Sequence, residues 1–390
     1  MFRELTSNTR YITLGRMVTS IGFSSTIPFL ALYLAVQRET PLFLVGIMYL
    51  LQGIASLASQ VIAGYVADFW GPKKTLALGY IFGFGSSIYM ALLLQFNVST
   101  LLIIFTYPLF SLLRGFSMPA QAALLAEENT DSITNFSLLA MASNLGFAIG
   151  PAIGGILVSL TGYAFLFVFS AITSLITLLM TYQLSEATYH LTKQKQSVIP
   201  DRNIIFFILL CLLGYIVIGQ DIQPFALYAG DYLRVNNLEV GYLFSFSGFL
   251  IVILQLPVMR LLRRYGSHNL IILSSIFAAS SFLLLFYAFN DIHLFLAMGI
   301  ITIGEILFVV PSQIWITRVA PPTRKGSYQG YYSATATAGR SVASWLGSTL
   351  QGPMLGPRDS WLVMIALSIM LLALTWLHKN TKLTVTDQIL

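Results

Sequence analysis

IIFFILLCLLGYIVIGQDIQPFALY, Ile204 to Tyr228, is an apolar run broken by one carboxylate, Asp221, in the short polar word GQDIQ. A helix that crosses a bilayer needs roughly 20 mostly apolar residues, and this run supplies them. Working outward in both directions, runs of the same kind recur between charges and Pro/Gly clusters. Together they predict twelve spans, at about 12–36, 42–67, 75–95, 99–123, 134–158, 163–183, 204–230, 239–262, 269–289, 293–317, 327–350 and 359–378. Most connections are very short. The longest polar stretch, LSEATYHLTKQKQSVIPDRN, lies near mid-chain at 184–203. The expected organisation is an N-terminal six-helix half over 1–183, a cytoplasmic linker over 184–203, and a C-terminal six-helix half with a short tail over 204–390.

Composition excludes the other classes. Charged residues make up 9% of the 390, against about 25% in an ordinary soluble domain. That is too few for a soluble enzyme, a disordered chain or a nucleic-acid-binding domain. The net charge of +6 comes from Lys and Arg scattered in small groups between apolar runs, so no nucleic-acid partner is expected. A single cysteine, Cys211, leaves no disulfide framework. His190, His268, His293 and His378 stand isolated near span ends, and no metal site or cofactor is expected. No phosphate-binding glycine loop follows a strand, which gives ATP-driven transport no support.

Lysine and arginine asymmetry predicts the orientation. One set of connections and termini holds Arg3, Arg10, Lys73, Lys74, Lys193, Lys195, Arg202, Arg260, Arg263, Arg264, Arg318, Arg324, Lys325, Lys379 and Lys382. The other set holds only Arg38, Arg234 and Arg358. The expectation is a multi-pass protein of the cell membrane, in the lipid bilayer as a monomer, with both termini cytoplasmic.

The two halves also resemble each other. At an offset of 195 residues, Ala31, Leu32 and Tyr33 fall on Ala226, Leu227 and Tyr228, and Val45, Gly46 and Gly53 on Val240, Gly241 and Gly248. Gln60 falls on Gln255, and Gly71 on Gly266. Farther along the match fades to isolated pairs. Paired repeats of six helices are a transporter design, with substrate bound near mid-membrane and access alternating between the two sides.

Three local patterns make the chain similar to the major facilitator superfamily, over essentially its whole length. GYVADFWGPKKTL, Gly64 to Leu76, resembles the family's loop motif at Gly64, Asp68, Gly71, Lys73 and Lys74, with Phe69 where that family usually has Arg. NLGFAIGPAIGG, Asn144 to Gly155, resembles the Gly-Pro-rich motif of its drug/proton antiporters. Arg114 resembles its intramembrane Arg, although Met118 stands where a Gly is usual. The resemblance implies an all-α membrane protein of twelve transmembrane helices in two pseudo-symmetric six-helix halves. It implies a central cavity lined by spans one, four, seven and ten. It also implies a gate in which Asp68, with Gly71, Lys73 and Lys74, meets the end of span eleven.

Particular residues carry the expected chemistry. Gly146, Gly150 and Gly154, with Pro151 among them, form a smooth stripe on span five. The stripe is read either as a sliding surface between the halves or as static small-residue packing. Glu127, Glu128 and Asp131 are placed to pair with Lys73 and Lys74. A charge at mid-bilayer costs at least about 2.5–3.5 kcal/mol on insertion scales, so Arg16, Arg114, Asp221, Glu305 and Arg340 each need a partner or a cavity. A carboxylate held between desolvation and a nearby arginine can take up and release a proton. Glu305, in the more apolar surroundings, is the preferred proton-coupling residue, with Asp221 second. Arg16, Arg114, Gln220, Asp221, Gln223, Tyr228 and Arg340 are the candidate substrate contacts. The expected function is proton-coupled efflux of a small molecule by alternating access, without enzymatic activity. The alternative is a proton-coupled uptake symporter for a sugar, organic acid or other polar solute.

Overall fold

The computed structural model describes residues 6–126, 132–184, 202–321 and 325–379. Among them there is no strand, and eleven helical segments are long and apolar enough to cross a membrane. They are α1 (Ser7–Gln37), α2 (Leu42–Trp70), α3 (Pro72–Gln95), α4 (Thr100–Leu125), α5 (Ser137–Thr161), α6 (Ala164–Thr181), α7 (Ile204–Tyr232), α8 (Asn237–Tyr265), α9 (Ser267–Phe286), α10 (Asp291–Val319) and, at the C-terminal end, α12 (Ser360–Lys379). Between the last two lies α11 (Lys325–Thr349), 25 residues long and far less apolar. Several of its hydroxyls bond back to their own helix: Thr335 and Ser341 donate to the carbonyls of Tyr331 and Thr337 at 2.8 and 2.9 Å. Such back-bonding removes much of the desolvation cost that polar side chains otherwise carry into lipid.

The fold class read from the sequence is the observed one, and the helices follow the predicted spans closely. The clearest shift is at the start of α1, which begins at Ser7 because Thr6 Oγ1 accepts from the Thr9 amide at 3.2 Å. That cap opens the helix on a polar turn, which an apolar run does not reveal.

The repeat is visible in the backbone. A π-helical turn at Tyr33–Gln37 recurs 195 residues later at Tyr228–Tyr232. Arg38 N donates to Tyr33 O at 3.1 Å, and Leu233 N to Tyr228 O at 3.0 Å. Gly71 and Gly266, with φ of 89° and 75°, end α2 and α8 in a conformation that a Cβ disfavours. α1 and α7 are both interrupted: α1 after Ser24, and α7 by a 3-10 turn over Gly219–Asp221.

The described chain forms two compact units. Among the described residues the first holds 6–40, 51–126, 132–184 and 236–248, and the second 41–50, 202–235, 249–321 and 325–379. Division by contact thus moves the start of α2 and the start of α8 across the boundaries expected from sequence. In the first unit, Ile12, Leu76, Tyr80, Ala120, Leu124 and Leu125 form a buried cluster. In the second, Val258, Leu262, Leu270, Ile306 and Leu307 do the same. Trp361 stacks on Phe282 at 5.6 Å and meets Tyr228 edge-on at 5.3 Å.

The glycine stripe on α5 has a definite partner, α1. A Cβ at Gly146 would press on Met17 O and Ser20, one at Gly150 on Ser24 and Ile21 O, and one at Gly154 on Ser25 O and Phe29. Gly155, one position round the helix, meets Asn237 O and Gly241 of α8. Pro151 opens the helical ladder, and the Ala152 amide donates instead to Ser245 Oγ at 2.9 Å. The stripe therefore packs against α1 within one unit.

Gly150→Leu should lower the melting temperature of the detergent-solubilised protein, since overpacking a tight contact costs about 1–3 kcal/mol. Gly85, around which a Cβ meets nothing within 4 Å, is the control. Equal melting of Gly150→Leu and Gly85→Leu would contradict the packing.

Candidate functional site

In the second unit three intramembrane charges converge. Arg340 on α11 donates through Nη2 to Glu305 Oε1 of α10 at 2.6 Å. Its Nη1 lies 3.9 Å from Asp221 Oδ1 of α7. The Arg340 side chain is 31% exposed, Glu305 12% and Asp221 7%. The short contact is a charge-assisted hydrogen bond, whereas the 3.9 Å contact lies beyond hydrogen-bond range. Asp221 Oδ1 is buried without a hydrogen-bond partner. Two carboxylates thus share one guanidinium unequally.

The local backbone builds this cluster. The 3-10 turn over Gly219–Asp221 and the backbone of Ile222 (φ −102°, ψ −94°) interrupt α7 at the carboxylate. A Cβ on Gly219 would stand 2.9 Å from Ala343 Cβ and 3.2 Å from Arg340 Cα, so only glycine admits α11 at this distance. Gln220 donates to Ile216 O at 3.0 Å and Ala343 O at 3.1 Å, which leaves its buried Oε1 unpartnered. Gln223 Oε1 accepts from Ser344 at 2.7 Å. The Arg340 guanidinium also lies 5.6 Å from the Tyr215 ring centroid, within cation–π range. Tyr215 donates to Tyr332 at 2.6 Å, and Tyr332 to Val309 O at 3.0 Å. Gly219, Tyr215 and Ser344 were not singled out by sequence. A Gly next to a polar word inside an apolar run was the available signal.

Arg16 and Arg114 lie in the first unit. Arg16 Nη2 donates to Ser143 Oγ of α5 at 3.1 Å. Arg114 Nη2 donates to Thr19 O of α1 at 3.0 Å, with its guanidinium carbon 3.7 Å over the Phe23 ring. Both acids of the second unit have Arg340 as their arginine neighbour.

Tyr228 is placed elsewhere. It is fully buried, donates to Leu285 O at 2.7 Å and packs on Trp361, so its hydroxyl is occupied inside the core. His268 and His378, read as isolated, meet: Nε2 of His268 is 2.9 Å from Nδ1 of His378, beside Phe207 and Trp315. They lie 110 positions apart, which sequence spacing cannot reveal. Among the described residues no group of His, Cys, Asp or Glu could hold a metal ion.

At the turn between α2 and α3, Asp68 is exposed. Lys73 Nζ donates to Leu184 O, beyond the end of α6, and Lys74 is exposed. The expected partners Glu127, Glu128 and Asp131, and most of the 184–203 linker, lie outside the described residues.

The family model described as Major Facilitator Superfamily matches residues 12–344 of the chain and, in a second alignment, 204–387. A multi-drug resistance efflux pump PmrA homolog of Lactococcus lactis is 24% identical over 371 residues, covering 87% of each chain. A Na(+), Li(+), K(+)/H(+) antiporter of Planococcus maritimus is 22% identical over 371 residues, covering 84% of this chain and 86% of its own. Among solved structures, the nucleoside transporter NupG superposes with a TM-score of 0.74 at 18% identity, over 97% of this chain and 100% of its own. That likeness is one of fold.

Arg340→Gln should strand both carboxylates and lower the melting temperature. The loss should sit toward the low end of the about 3–5 kcal/mol for breaking a buried pair, because Arg340 is partly exposed. Adding Glu305→Gln and Asp221→Asn to Arg340→Gln should restore most of it. A triple variant no more stable than the single would contradict a charge-balanced cluster.

Proposed function

Because this chain belongs to the Major Facilitator Superfamily and is a membrane transporter, we propose that it is a secondary active transporter working by proton-coupled efflux. The observation that carries the coupling is the shared guanidinium of Arg340. With both carboxylates ionised the cluster holds one excess negative charge, and one proton neutralises it. In an apolar span the neutral state is favoured, so the cluster loads one proton. When the transport cycle brings it to water on the other side, the charged state is solvated and the proton leaves.

The geometry reorders the two acids. Glu305 holds the short bond to Arg340, so its charge is compensated. Asp221, with an unpartnered Oδ1, is the better seat for the proton. The more apolar sequence neighbours of Glu305 favour that residue instead. The contact distances favour Asp221.

Efflux is supported by the Asn144–Gly155 motif and by the efflux pump and the antiporter among the relatives. Gln220 and Gln223 beside the cluster, with Arg16 and Arg114 in the first unit, are the substrate contacts of this reading. The alternative, uptake of a polar solute with protons, draws on the unpartnered Gln220 Oε1. Asp68, Gly71, Lys73 and Lys74 act as a gate at the α2–α3 turn. The carrier works as a monomer in the cell membrane.

In proteoliposomes under an imposed pH gradient, Asp221→Asn and Glu305→Gln should abolish gradient-driven accumulation and leave substrate exchange intact. Accumulation that persists in both variants removes the coupling assignment. Accumulation driven by acid on the side of origin would favour uptake.

Orientation follows the basic residues. Cysteines placed in the 184–203 linker should label only from the cytoplasmic side of right-side-out vesicles after permeabilisation. Labelling of sealed vesicles would reverse the orientation.

A further inference from the structure

The two units treat their intramembrane charges differently. In the second, Arg340 has two carboxylates. In the first, neither Arg16 nor Arg114 forms an ion pair with a carboxylate among the described residues. The described acids of that unit, Glu39, Asp68 and Glu239, sit at helix ends or in a connection. Both are nonetheless anchored on one stretch of α1: Arg16 stands on it, and Arg114 donates to the carbonyl of Thr19 and lies over the Phe23 ring.

Their fixings hold the two guanidiniums without neutralising them. Arg16 is tied by one nitrogen to Ser143, itself 3.4 Å from Ser20 Oγ. Its head is thus tied to α5. Arg114, the last residue before α4 breaks, is stacked on Phe23 and spends one nitrogen on Thr19 O. A guanidinium has five N–H donors in a fixed fork. Most donors of both arginines remain for another acceptor, and both residues are half-buried, not sealed. Tyr80, which accepts from Gln121 Nε2 at 2.6 Å, keeps its own proton to offer.

Two uncompensated guanidiniums inside a span are costly unless an anion joins them. Paired forks match a carboxylate, sulfonate or phosphate, whose oxygens take several N–H bonds at once. We propose that Arg16 and Arg114 form an oxyanion subsite, so that the transported molecule carries a carboxylate, sulfonate or phosphate group. This rests on the transporter reading and names the class of its substrate. The proton and the anion then use different units, the proton at Asp221 and Glu305 and the anion at Arg16 and Arg114.

The test is equilibrium binding of radiolabelled benzoate, phenyl phosphate and inorganic phosphate to the full chain in nanodiscs of phosphatidylcholine. At least one anion should bind saturably, and benzamide, the neutral analogue of benzoate, should not compete. Arg114→Gln and Arg16→Gln should each weaken binding about tenfold or more, the loss expected for a charged hydrogen bond. Arg114→Lys, which keeps charge without the fork, should fall between, which guards against a variant that merely misfolds. Gly85→Ala, at a position where a Cβ meets nothing within 4 Å, should bind the anion as well as the parent does. Absence of saturable binding by all three anions, or binding untouched by both Gln variants, overturns the subsite. A phosphatidylglycerol molecule retained in native mass spectrometry, lost in Arg114→Gln and not displaced by the three anions, assigns the site to a lipid headgroup and also overturns it. Absence of anion binding by the parent chain together with intact pH-driven transport refutes the subsite alone. The reverse outcome refutes the coupling alone.

Discussion

Charge inside an apolar span is the constraint on which this structure turns. A lone ion there costs several kcal/mol, so each one must find a partner across helices. In the second unit that requirement draws three helices together: α7 brings Asp221, α10 brings Glu305, and α11 brings Arg340 between them. The break in α7 and the missing side chain at Gly219 are what let α11 come close enough. The partial mismatch, one short bond and one long contact, is what the proposed proton site rests on. A perfectly matched pair would hold its charge through the whole cycle.

Small residues do the complementary work elsewhere. Lipid tails provide little apolar drive for helix association, so close backbone approach and short hydrogen bonds must hold the units. α5 shows both. Its glycines admit α1, and Ser24 Oγ donates to Gly146 O at 3.1 Å across the same seam. α3 and α6 are joined by Ser87 and Ser170 at 3.2 Å, and α2 and α4 by Ser59 donating to Leu112 O at 2.6 Å.

Most of the architecture was legible because the bilayer imposes a length and an apolarity on every span. The repeat at 195 residues was legible because Gly71 and Gly266 are needed at matching turns, and identity survives where backbone geometry demands it. Side-chain direction was not legible. Tyr228 is next to the polar word in sequence, yet it points into the core against Trp361. The choice of Arg340 over Arg114 as partner depends on which helices share a unit, and composition carries no trace of that. The contacts of 2.6 and 3.9 Å that distinguish Glu305 from Asp221 leave no trace in local apolarity.

The account centres on one proton shared by two carboxylates and one guanidinium. Infrared difference spectroscopy of the full chain in nanodiscs reads it directly, through the carbonyl stretch of a protonated carboxyl near neutral pH. The account predicts one such band per chain, shifted by a solvent change from H2O to D2O and lost in both Asp221→Asn and Glu305→Gln, because either variant leaves a single carboxylate matched to Arg340. A spectrum without that band, or a band unaffected by both substitutions, would contradict it.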